Sequence, residues 1–302
     1  MTVPSAVLDA KVAAPRLALT EGFGARVRRF VRTSPIGALS AVFLISIVLV
    51  AIFADQVAPY HPLEADFRAL RQPPSASHWL GTDNLGRDVL SRLIHGARIS
   101  LFVAVVSTVI SKLLGVTWGI ITGYVGRGFD LVSQRIVDVL LAFPGIILAM
   151  LLLSALGGGL TTVIFAITLL GIAGTVRVIR AVTLTIKEMA YVEAARCIGA
   201  SNGRIMLNHV APQTIAPALV LFSASLGGAI FAEAALSFLG LGIPQPSPSW
   251  GNMLGGILAD QFRPRWWLVV FPGVAITLTV LAFNLLGDAL RDYLDPKLRG
   301  KL

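Results

Sequence analysis

The sequence predicts an all-α integral membrane protein with six transmembrane helices. Of its 302 residues, 55% are hydrophobic and only 14% are charged, which leaves too few polar side chains to cover a water-soluble globule of this size. The mean hydropathy of +0.79 agrees with a chain that lies in a bilayer. Six apolar runs approach the roughly 20 residues that a helix needs to cross about 30 Å of hydrocarbon. The predicted spans are approximately Ile36–Ala54, Leu101–Tyr124, Ile136–Leu156, Thr161–Val178, Ala218–Leu239 and Leu268–Leu290.

The distribution of basic residues predicts that both termini are cytoplasmic. The first span follows a basic tail and is too long and too late to be the apolar part of a cleaved signal peptide, so we expect it to anchor with the N-terminus inside. Six crossings then return the C-terminus to the same side. The supporting basic residues are Arg16, Arg26, Arg28, Arg29 and Arg32 in the tail, Arg177, Arg180, Lys187, Arg196 and Arg204 between the fourth and fifth spans, and Arg291, Lys297, Arg299 and Lys301 at the end.

The first outer loop is the one segment that disagrees with this topology. It is basic, but because it is long and also acidic it weakens the positive-inside pattern only modestly. Its charged residues are Arg68, Arg71, Arg87, Arg92 and Arg98, with Glu64, Asp66, Asp83 and Asp88. The chain is thus divided into a cytoplasmic tail (1–35), the first span with its external loop (36–97), and a core domain (98–302).

The net charge of +9 does not indicate nucleic-acid binding. The basic residues gather at the ends of apolar runs and in short loops, where the positive-inside bias and anionic lipid headgroups account for them. The single cysteine, Cys197, excludes an intrachain disulfide and a cysteine metal cluster. We expect Cys197 to be a small side chain on a packed helix.

Glycines and prolines indicate where the spans approach one another and bend. Gly115, Gly119 and Gly123 recur every four residues in the second span, which permits close backbone contact on one face. Pro144-Gly145 in the third span and Pro272-Gly273 in the sixth are expected to bend their helices. Such bends suit a gated pathway, and they also occur in static bundles.

Four ionisable residues fall within the predicted spans, where charged groups are costly. Asp138 and Asp288 lie near cytoplasmic ends, where interfacial solvation accounts for them. Lys112 and Glu233 lie deeper, so each is expected to face protein, water or the other residue. Structural pairing and pathway lining both stay open for them, and Asn284 joins them as a candidate polar residue of a pathway.

The polar stretch between the fourth and fifth spans predicts a helix, a turn and a second helix. Lys187–Ile198 contains strong helix formers, and Gly199 can adopt the left-handed conformation that ends a helix. Asn202–Val210 then forms a second short helix that stops before Pro212. The face of the first helix consists of Ala190, Ala194 and Cys197, flanked by Glu193 and Arg196. This face fits either the groove of a partner or the membrane surface.

Four ordered blocks resemble the C-type permease subunit of ATP-binding-cassette importers for dipeptides, oligopeptides and nickel. Tyr191–Ser201 with His209–Pro212 is similar to the EAA loop of such permeases. The other blocks are Gly81–Asp88 with Ser91-Arg92 and Gly96–Leu101, then Leu236–Gly242 with Pro248–Gly251, and Leu278–Asp288 with Leu290–Asp292 and Leu294–Pro296. The resemblance extends from about Pro35 to Arg299, and four ordered blocks are far more specific than a lone Glu-Ala-Ala.

The resemblance implies the type I importer permease fold, with coupling to an ATPase through the loop 179–212. Glu193 to Gly199 would form the coupling helix and its turn. The implied coupling residues are Glu193, Ala194, Ala195, Arg196, Gly199, His209 and Pro212. The chain departs from the broad pattern at His209 and Ala211, where aliphatic residues are usual, and at Asn208, where the subfamily often has arginine.

The resemblance also implies an assembly in the bacterial inner membrane. Its members would be this chain, a homologous B-type permease, two cytoplasmic ATPases and an external solute-binding protein, with peptide as the substrate and lipid around the spans. We expect this chain to be non-catalytic and to bind no cofactor, since its only Gly-Lys pair is Gly300-Lys301 and ATP with Mg²⁺ belongs to the ATPases. Its external candidates are Asp83, Gly86, Arg87, Asp88 and Trp250, with Trp266-Trp267 as an interfacial anchor.

The same residues bear on alternative substrates and on two other classes of membrane protein. Nickel chelates and glutathione are alternative substrates within the family. An ion-driven secondary transporter would show two repeated halves with broken helices, and the sequence shows no convincing repeat. An intramembrane protease would need a serine and a histidine within reach, but Ser201 and His209 both lie in the polar loop.

Overall fold

The computed structural model of the chain describes residues 23–255 and 265–294. The predicted charges of Arg16, Lys297, Arg299 and Lys301, the motif residues Asp295-Pro296 and the side chain of Arg26 lie outside this description. The described helices are α1 (Phe23–Thr33), α2 (Pro35–Ile52), α3 (Ala54–Val57), α4 (Val89–Val125), α5 (Arg127–Ala142), α6 (Gly145–Leu156), α7 (Leu160–Lys187), α8 (Ala190–Cys197), α9 (Asn202–Ile205), α10 (Ala211–Phe238), α11 (Trp250–Gly255) and α12 (Trp266–Leu294).

The longer helices of the chain make six crossings of the membrane. In the described part, five helical segments are long and apolar enough to span a bilayer, and α5 with α6 forms a sixth candidate that is bent by 90°. Successive residues of α4 contact successive residues of α7 in the same order, so the two helices run parallel. Because parallel neighbours require the chain to return between them, the α5–α6 pair makes that crossing. The all-α fold with six spans is thereby confirmed.

The predicted close contact at the glycines of the second span is confirmed. A Cβ atom added to Gly115, Gly119 or Gly123 would lie 2.7–2.9 Å from a β-carbon of α7. The three contacted residues are Thr175, Ile179 and Thr183. Matching spacings of four residues therefore bring the two backbones together along three turns, and this contact organises the centre of the fold.

The third span is not one straight helix, as the run Ile136–Leu156 predicted. It is broken at Phe143-Pro144, between α5 and α6. Proline has no amide hydrogen to donate and its ring clashes with the preceding turn, so the bend predicted there becomes a complete break. Pro272, in contrast, lies inside the continuous helix α12, and the break does not recur there.

The second span begins twelve residues earlier than predicted, at Val89 rather than Leu101. Asp88 caps this helix, because its Oδ2 accepts hydrogen bonds from the amide and the hydroxyl of Ser91, both at 2.8 Å. An N-cap of this kind satisfies amides that would otherwise be unpaired. The boundary predicted between residues 97 and 98 falls inside this helix.

The second half of the polar loop also differs from the prediction. Asn202–Val210 does not stop before Pro212, because α9 passes through a π-helical turn at Met206–Val210 directly into α10. A π turn shifts the register of the backbone hydrogen bonds. Pro212 then lies at the start of α10, and because it has no amide hydrogen it cannot donate back to the preceding turn.

The two ends of the described chain lie on the same side of the bundle. The rings of Phe30 in α1 and Tyr293 in α12 pack edge to face at 5.7 Å. Near them, Gly37 at the start of α2 leaves room for Ala289 of α12. An even number of crossings requires this arrangement.

Candidate functional site

The short helix α8 lies at the end of the bundle where α4 and α7 finish. Its inner face buries Val192 and Ala195 in an apolar cluster with residues of both spans. The other buried members of the cluster are Ile120, Tyr124, Ile179, Ile186, Ile205 and Val210. Ala195 therefore supports the loop from inside and is not on its outer surface.

The outer face of α8 carries the ridge that the sequence predicts. Ala190, Glu193, Ala194 and Cys197 are all exposed. Ile198 extends the face with 85% of its surface exposed. We call these five residues the docking patch. Cys197 is thus a surface residue of this patch and not a packed side chain.

Gly199 ends α8 in the predicted left-handed conformation, with φ of +81°. Its amide donates to the Arg196 carbonyl at 2.9 Å, and the amide of Ala200 donates to the Ala195 carbonyl at 3.0 Å. This pair of bonds is the Schellman motif, which satisfies carbonyls at a helix end. The geometry of the turn therefore requires a residue without a side chain.

The remaining coupling candidates contact their own chain. The Arg196 guanidinium lies 5.6 Å from the centre of the Tyr124 ring, and the Tyr191 ring stacks on His209 at 6.4 Å. His209 is partly buried and its Nδ1 has no hydrogen-bond partner, while Pro212 is exposed. These contacts hold α8 and the π turn together at the end of the bundle where α4 and α7 finish.

The two deep ionisable residues do not pair with each other. Lys112 donates from Nζ to Thr175 Oγ1 at 2.7 Å, in the contact between α4 and α7. Glu233 is fully buried and accepts hydrogen bonds from Ser100 of α4 and Ser237 of α10, both at 2.8 Å. Hydroxyl groups, and not opposite charges, accommodate both side chains, which agrees with the expectation that each faces protein.

Trp250 is packed inside the bundle and not on an outer surface. Only 2% of it is exposed. Its indole donates to the Leu93 carbonyl at 2.9 Å, and its amide donates to Ser100 Oγ at 3.3 Å. Since Ser100 also bonds Glu233, one polar cluster joins α4, α10 and α11.

The external motif around Asp83 is a tightly bonded turn. Asp83 accepts from the amides of Leu85 and Arg87 and from Arg87 Nε, the last at 2.7 Å. Gly86 has φ of +76° and closely approaches the Asp66 carbonyl. Asp88 caps α4 and also contacts His78 Nδ1 at 3.0 Å. All four predicted residues therefore shape the outer loop.

Arg92 and Arg98, two of the arginines that disagreed with the positive-inside pattern, make structural contacts near the start of α4. Arg92 is buried, donates to the Pro62 carbonyl and lies 3.5 Å from Asp83. Arg98 donates to the carbonyls of Ala51 and Ile52 at the end of α2 and to Asp55. The hydrogen bond from Arg98 holds the pKa of Asp55 below its ordinary value. Internal pairing accounts for these two charges without reference to the positive-inside pattern.

Ion pairs connect the bent helix to α7. Asp138 lies 2.6 Å from Arg177, and Asp130 accepts two bonds of 2.6 Å from Arg180. Asp138 is therefore paired and not merely solvated. Asp288 and Asn284 are exposed on α12. Trp266 is exposed, as an interfacial anchor requires, but Trp267 is buried and donates to the Thr82 carbonyl at 3.2 Å.

Several residues at these sites were not predicted from the sequence. Ser100, Ser237 and Thr175 are common residue types with no local signal, and the residues they bind are 133, 4 and 63 positions away. Ile198 could have been noticed as an apolar residue beside the helix-ending glycine. Within residues 23–255 and 265–294, no group of three His, Cys, Asp or Glu side chains could hold a metal ion.

Comparison with known proteins places the chain in a family. Residues 115–300 match the model of the binding-protein-dependent transport system inner membrane component. Residues 22–74 match the N-terminal transmembrane domain of oligopeptide transport permease C. The two matches together cover most of the spans and the whole of the α8 loop.

Relatives of similar length carry a consistent name. The glutathione transport system permease protein GsiD of Escherichia coli O1:K1 / APEC is 45% identical over 275 residues, which are 90% of each chain. The protein of the same name from Pectobacterium atrosepticum is 40% identical over 274 residues, again 90% of each chain. The chain therefore belongs to the family of binding-protein-dependent transport system inner membrane components, the permease subunits of ATP-binding-cassette importers, and it has their type I fold.

Proposed function

We propose that this chain forms half of the translocation pathway of an importer for short peptides, with glutathione as the leading substrate. The observation that carries the substrate class is the 40–45% identity, over 90% of the chain, to glutathione permeases. In this proposal the chain has no catalytic role and binds no ATP or Mg²⁺. It works with a homologous permease, two cytoplasmic ATPases and an external solute-binding protein.

The docking patch on α8 is the proposed contact with an ATPase. Small side chains at Ala190 and Ala194 let a groove approach the helix closely, Ile198 supplies an apolar anchor, and Glu193 supplies one charge. The predicted coupling role of the loop is supported by this surface.

The inner face of α8 would transmit the movement of the ATPases. Val192 and Ala195 are buried against residues of α4 and α7, and closely packed side chains move as one body. Displacement of α8 would therefore tilt these two spans together. ATP can shift the equilibrium between two gate positions only if it favours one of them in free energy, and α8 is where that difference would enter the permease.

Uptake by reconstituted protein tests this function. The chain, its partner permease, both ATPases and the binding protein are placed in proteoliposomes with ATP inside and labelled glutathione outside. We expect uptake that vanadate abolishes and that a proton uncoupler leaves unchanged. Uptake that persists without the ATPases, or that collapses with the uncoupler, contradicts the proposal.

Glu193→Lys tests the docking patch within the same assembly. Reversal of this exposed charge should weaken ATPase binding by about tenfold, if it removes one charge-assisted contact. The matched control is Glu64→Lys, an exposed glutamate of the external loop, which should leave ATPase binding unchanged. Equal ATPase binding by both variants and the unaltered chain would show that Glu193 does not contribute to the interface.

A further inference from the structure

A cavity of about 210 Å³ lies between three spans at membrane depth. Its walls come from α4, α7 and α10, and several of the lining residues are small or hydroxylated. The residues used below are Ser107, Thr108, Ser111, Gly171, Ser225 and Gly228. The other lining residues, Ile167, Leu170, Ala229 and Ala232, are apolar, so the hydroxyl groups are the polar features of the cavity.

One hydroxyl on the wall has no partner within the protein. Ser111 is 2% exposed, and its Oγ makes no hydrogen bond. Ser107, one turn away, donates instead to the Val103 carbonyl at 2.7 Å. A buried hydroxyl without a partner is costly. Ser111 is a lining residue of the cavity and its Oγ lies against Gly171, so a ligand in the cavity that draws the hydroxyl away from Gly171 would supply the missing partner.

A lysine lies directly behind the same wall. Lys112 Nζ donates to Thr175 Oγ1, and that hydroxyl donates to the Gly171 carbonyl, both at 2.7 Å. Gly171 in turn meets the Ser111 side chain and lines the cavity. The ammonium is therefore separated from the cavity wall by one hydroxyl. Among the residues that the structure describes, no carboxylate forms an ion pair with Lys112.

On the opposite wall of the cavity, Gly228 has no side chain to fill the space in front of it. A Cβ atom added to Gly228 of α10 would meet nothing within 4 Å, whereas one added to Gly227 would lie 3.1 Å from Asn284 Oδ1. Gly227 thus has a packing role, and Gly228 has open space in front of it. The space belongs to the cavity that Ser111 and Ser225 face.

We propose that this cavity is a carboxylate-binding step of the translocation pathway, with Ser111 as the hydrogen-bond donor and Lys112 as the source of positive potential. The proposal rests on the proposed function, because a peptide carries a terminal carboxylate and glutathione carries two. A cation in a medium of low dielectric constant acts over several ångströms, so Lys112 attracts an anion without touching it. The hydrogen bond to Thr175 fixes the position of the Lys112 ammonium.

Charge-selective labelling of Ser111→Cys in the assembled importer tests the site. The introduced thiolate attacks a methanethiosulfonate reagent, displaces methanesulfinate and forms a mixed disulfide, and mass spectrometry separates this peptide from that of Cys197. The rates for an anionic sulfonatoethyl reagent and a cationic trimethylammonium reagent are each divided by the rate with a free thiol. We expect the normalised ratio to favour the anion by about tenfold.

Neutral substitutions of Lys112 supply the control. Lys112→Gln retains a donor for Thr175 but not the charge, so the anion preference should disappear, and Lys112→Arg should retain it. Lys112→Met and the second reporter Ser225→Cys repeat the test where Lys112→Gln fails to assemble. A ratio that Lys112→Gln leaves unchanged, or reporters that no reagent reaches in any nucleotide state, would overturn the proposal.

Because the probes are the two reagents, the labelling result does not depend on which solute is transported. A failure of glutathione uptake with retained anion preference contradicts the proposed substrate and supports the site. Vanadate-sensitive glutathione uptake without anion preference supports the proposed function and contradicts the carboxylate site. The two proposals are therefore tested separately.

Discussion

Gly199 shows how one residue determines the shape of the proposed coupling surface. The αL conformation at this position closes both bonds of the Schellman motif and turns the chain away from α8. A side chain would meet no neighbour there, since no atom lies within 4 Å of an added Cβ. The requirement for glycine is therefore conformational, which is why the sequence alone could predict it.

Gly199→Val is expected to uncouple ATP hydrolysis from uptake. A non-glycine residue in the left-handed region costs about 1–2 kcal/mol, which reduces the population of the correct turn by about tenfold. The ratio of glutathione imported to ATP hydrolysed measures the effect, and insertion in the membrane should be normal. Gly203→Ala, in the exposed start of α9, should behave as the unaltered chain does. Normal coupling in Gly199→Val would exclude a role for the turn.

Gly119→Leu is expected to separate α4 from α7. The added Cβ would lie 2.9 Å from Ile179 Cβ and 3.0 Å from the Val176 carbonyl, so the helices must move apart. Overpacking of this kind typically costs about 1–3 kcal/mol, which should lower the thermal unfolding midpoint of the purified complex. The matched control is Gly174→Ala on α7, where a Cβ has open space. An equal midpoint for both variants would contradict close packing at Gly119.

At the scale of residues, the sequence does not identify which hydroxyl groups bind the buried charges. The cost of a buried charge predicts that Lys112 and Glu233 need polar neighbours. It does not select Thr175 or Ser100 from the many serines and threonines of the spans, because their proximity depends on how distant helices pack. For the same reason, the sequence could not show which helices Trp250 packs against, or that Trp267 is buried.

At the scale of elements, the bent pair α5–α6 is attached to α7 by charge. Asp130 and Arg180 form two parallel hydrogen bonds at 2.6 Å, near the end of the bundle where α8 lies. Bidentate pairing of this kind fixes orientation as well as distance. Without this pair, α5 would be held to α7 by the contact of Asp138 with Arg177 and by apolar contacts at Val137 and its neighbours.

Asp130→Asn is expected to loosen α5 by removing the charged partner of Arg180. Hydrogen bonds to charged groups contribute about 1.5–3 kcal/mol, so the thermal unfolding midpoint and the uptake rate should both fall. The exchange Asp130→Arg with Arg180→Asp should recover most of the loss. Arg135→Gln serves as the control, since Arg135 is exposed and 4.0 Å from Asp138. An exchange that recovers nothing would show that the pair does not hold α5.

Element boundaries followed the sequence at the glycine that ends α8 and departed from it at the start of α4, although Asp88 caps that helix. The end of α8 at Gly199 was predicted because its signal is local. The continuation of α9 into α10 was not, because a π turn places Pro212 in a helical first turn. Proline indicates that a helix is interrupted but does not state whether the interruption is a break, as at Pro144, or a passage, as at Pro272.

At the scale of the whole molecule, parity of crossings connects the fold to the mechanism. Parallel packing of α4 on α7 requires a crossing between them, and contact between α1 and α12 requires an even total, so the choice between five and six crossings falls on six. Hydropathy predicted that number, although it could not show the 90° bend in the third crossing. With α4 and α7 ending beside α8, the topology places the docking patch on the same face as the termini. If the basic tail is cytoplasmic, that face is the cytoplasmic one.

Labelling of Cys197 tests this orientation without any substitution, since the sequence contains one cysteine and it is exposed. A membrane-impermeant maleimide should label it in inside-out vesicles of the permease pair and leave it unlabelled in spheroplasts. Addition of the ATPases should protect it, because Cys197 lies within the docking patch. A detergent-treated sample gives the full extent of labelling. Labelling in spheroplasts would place α8 outside the cell, and an ATPase could not then drive the spans through this helix.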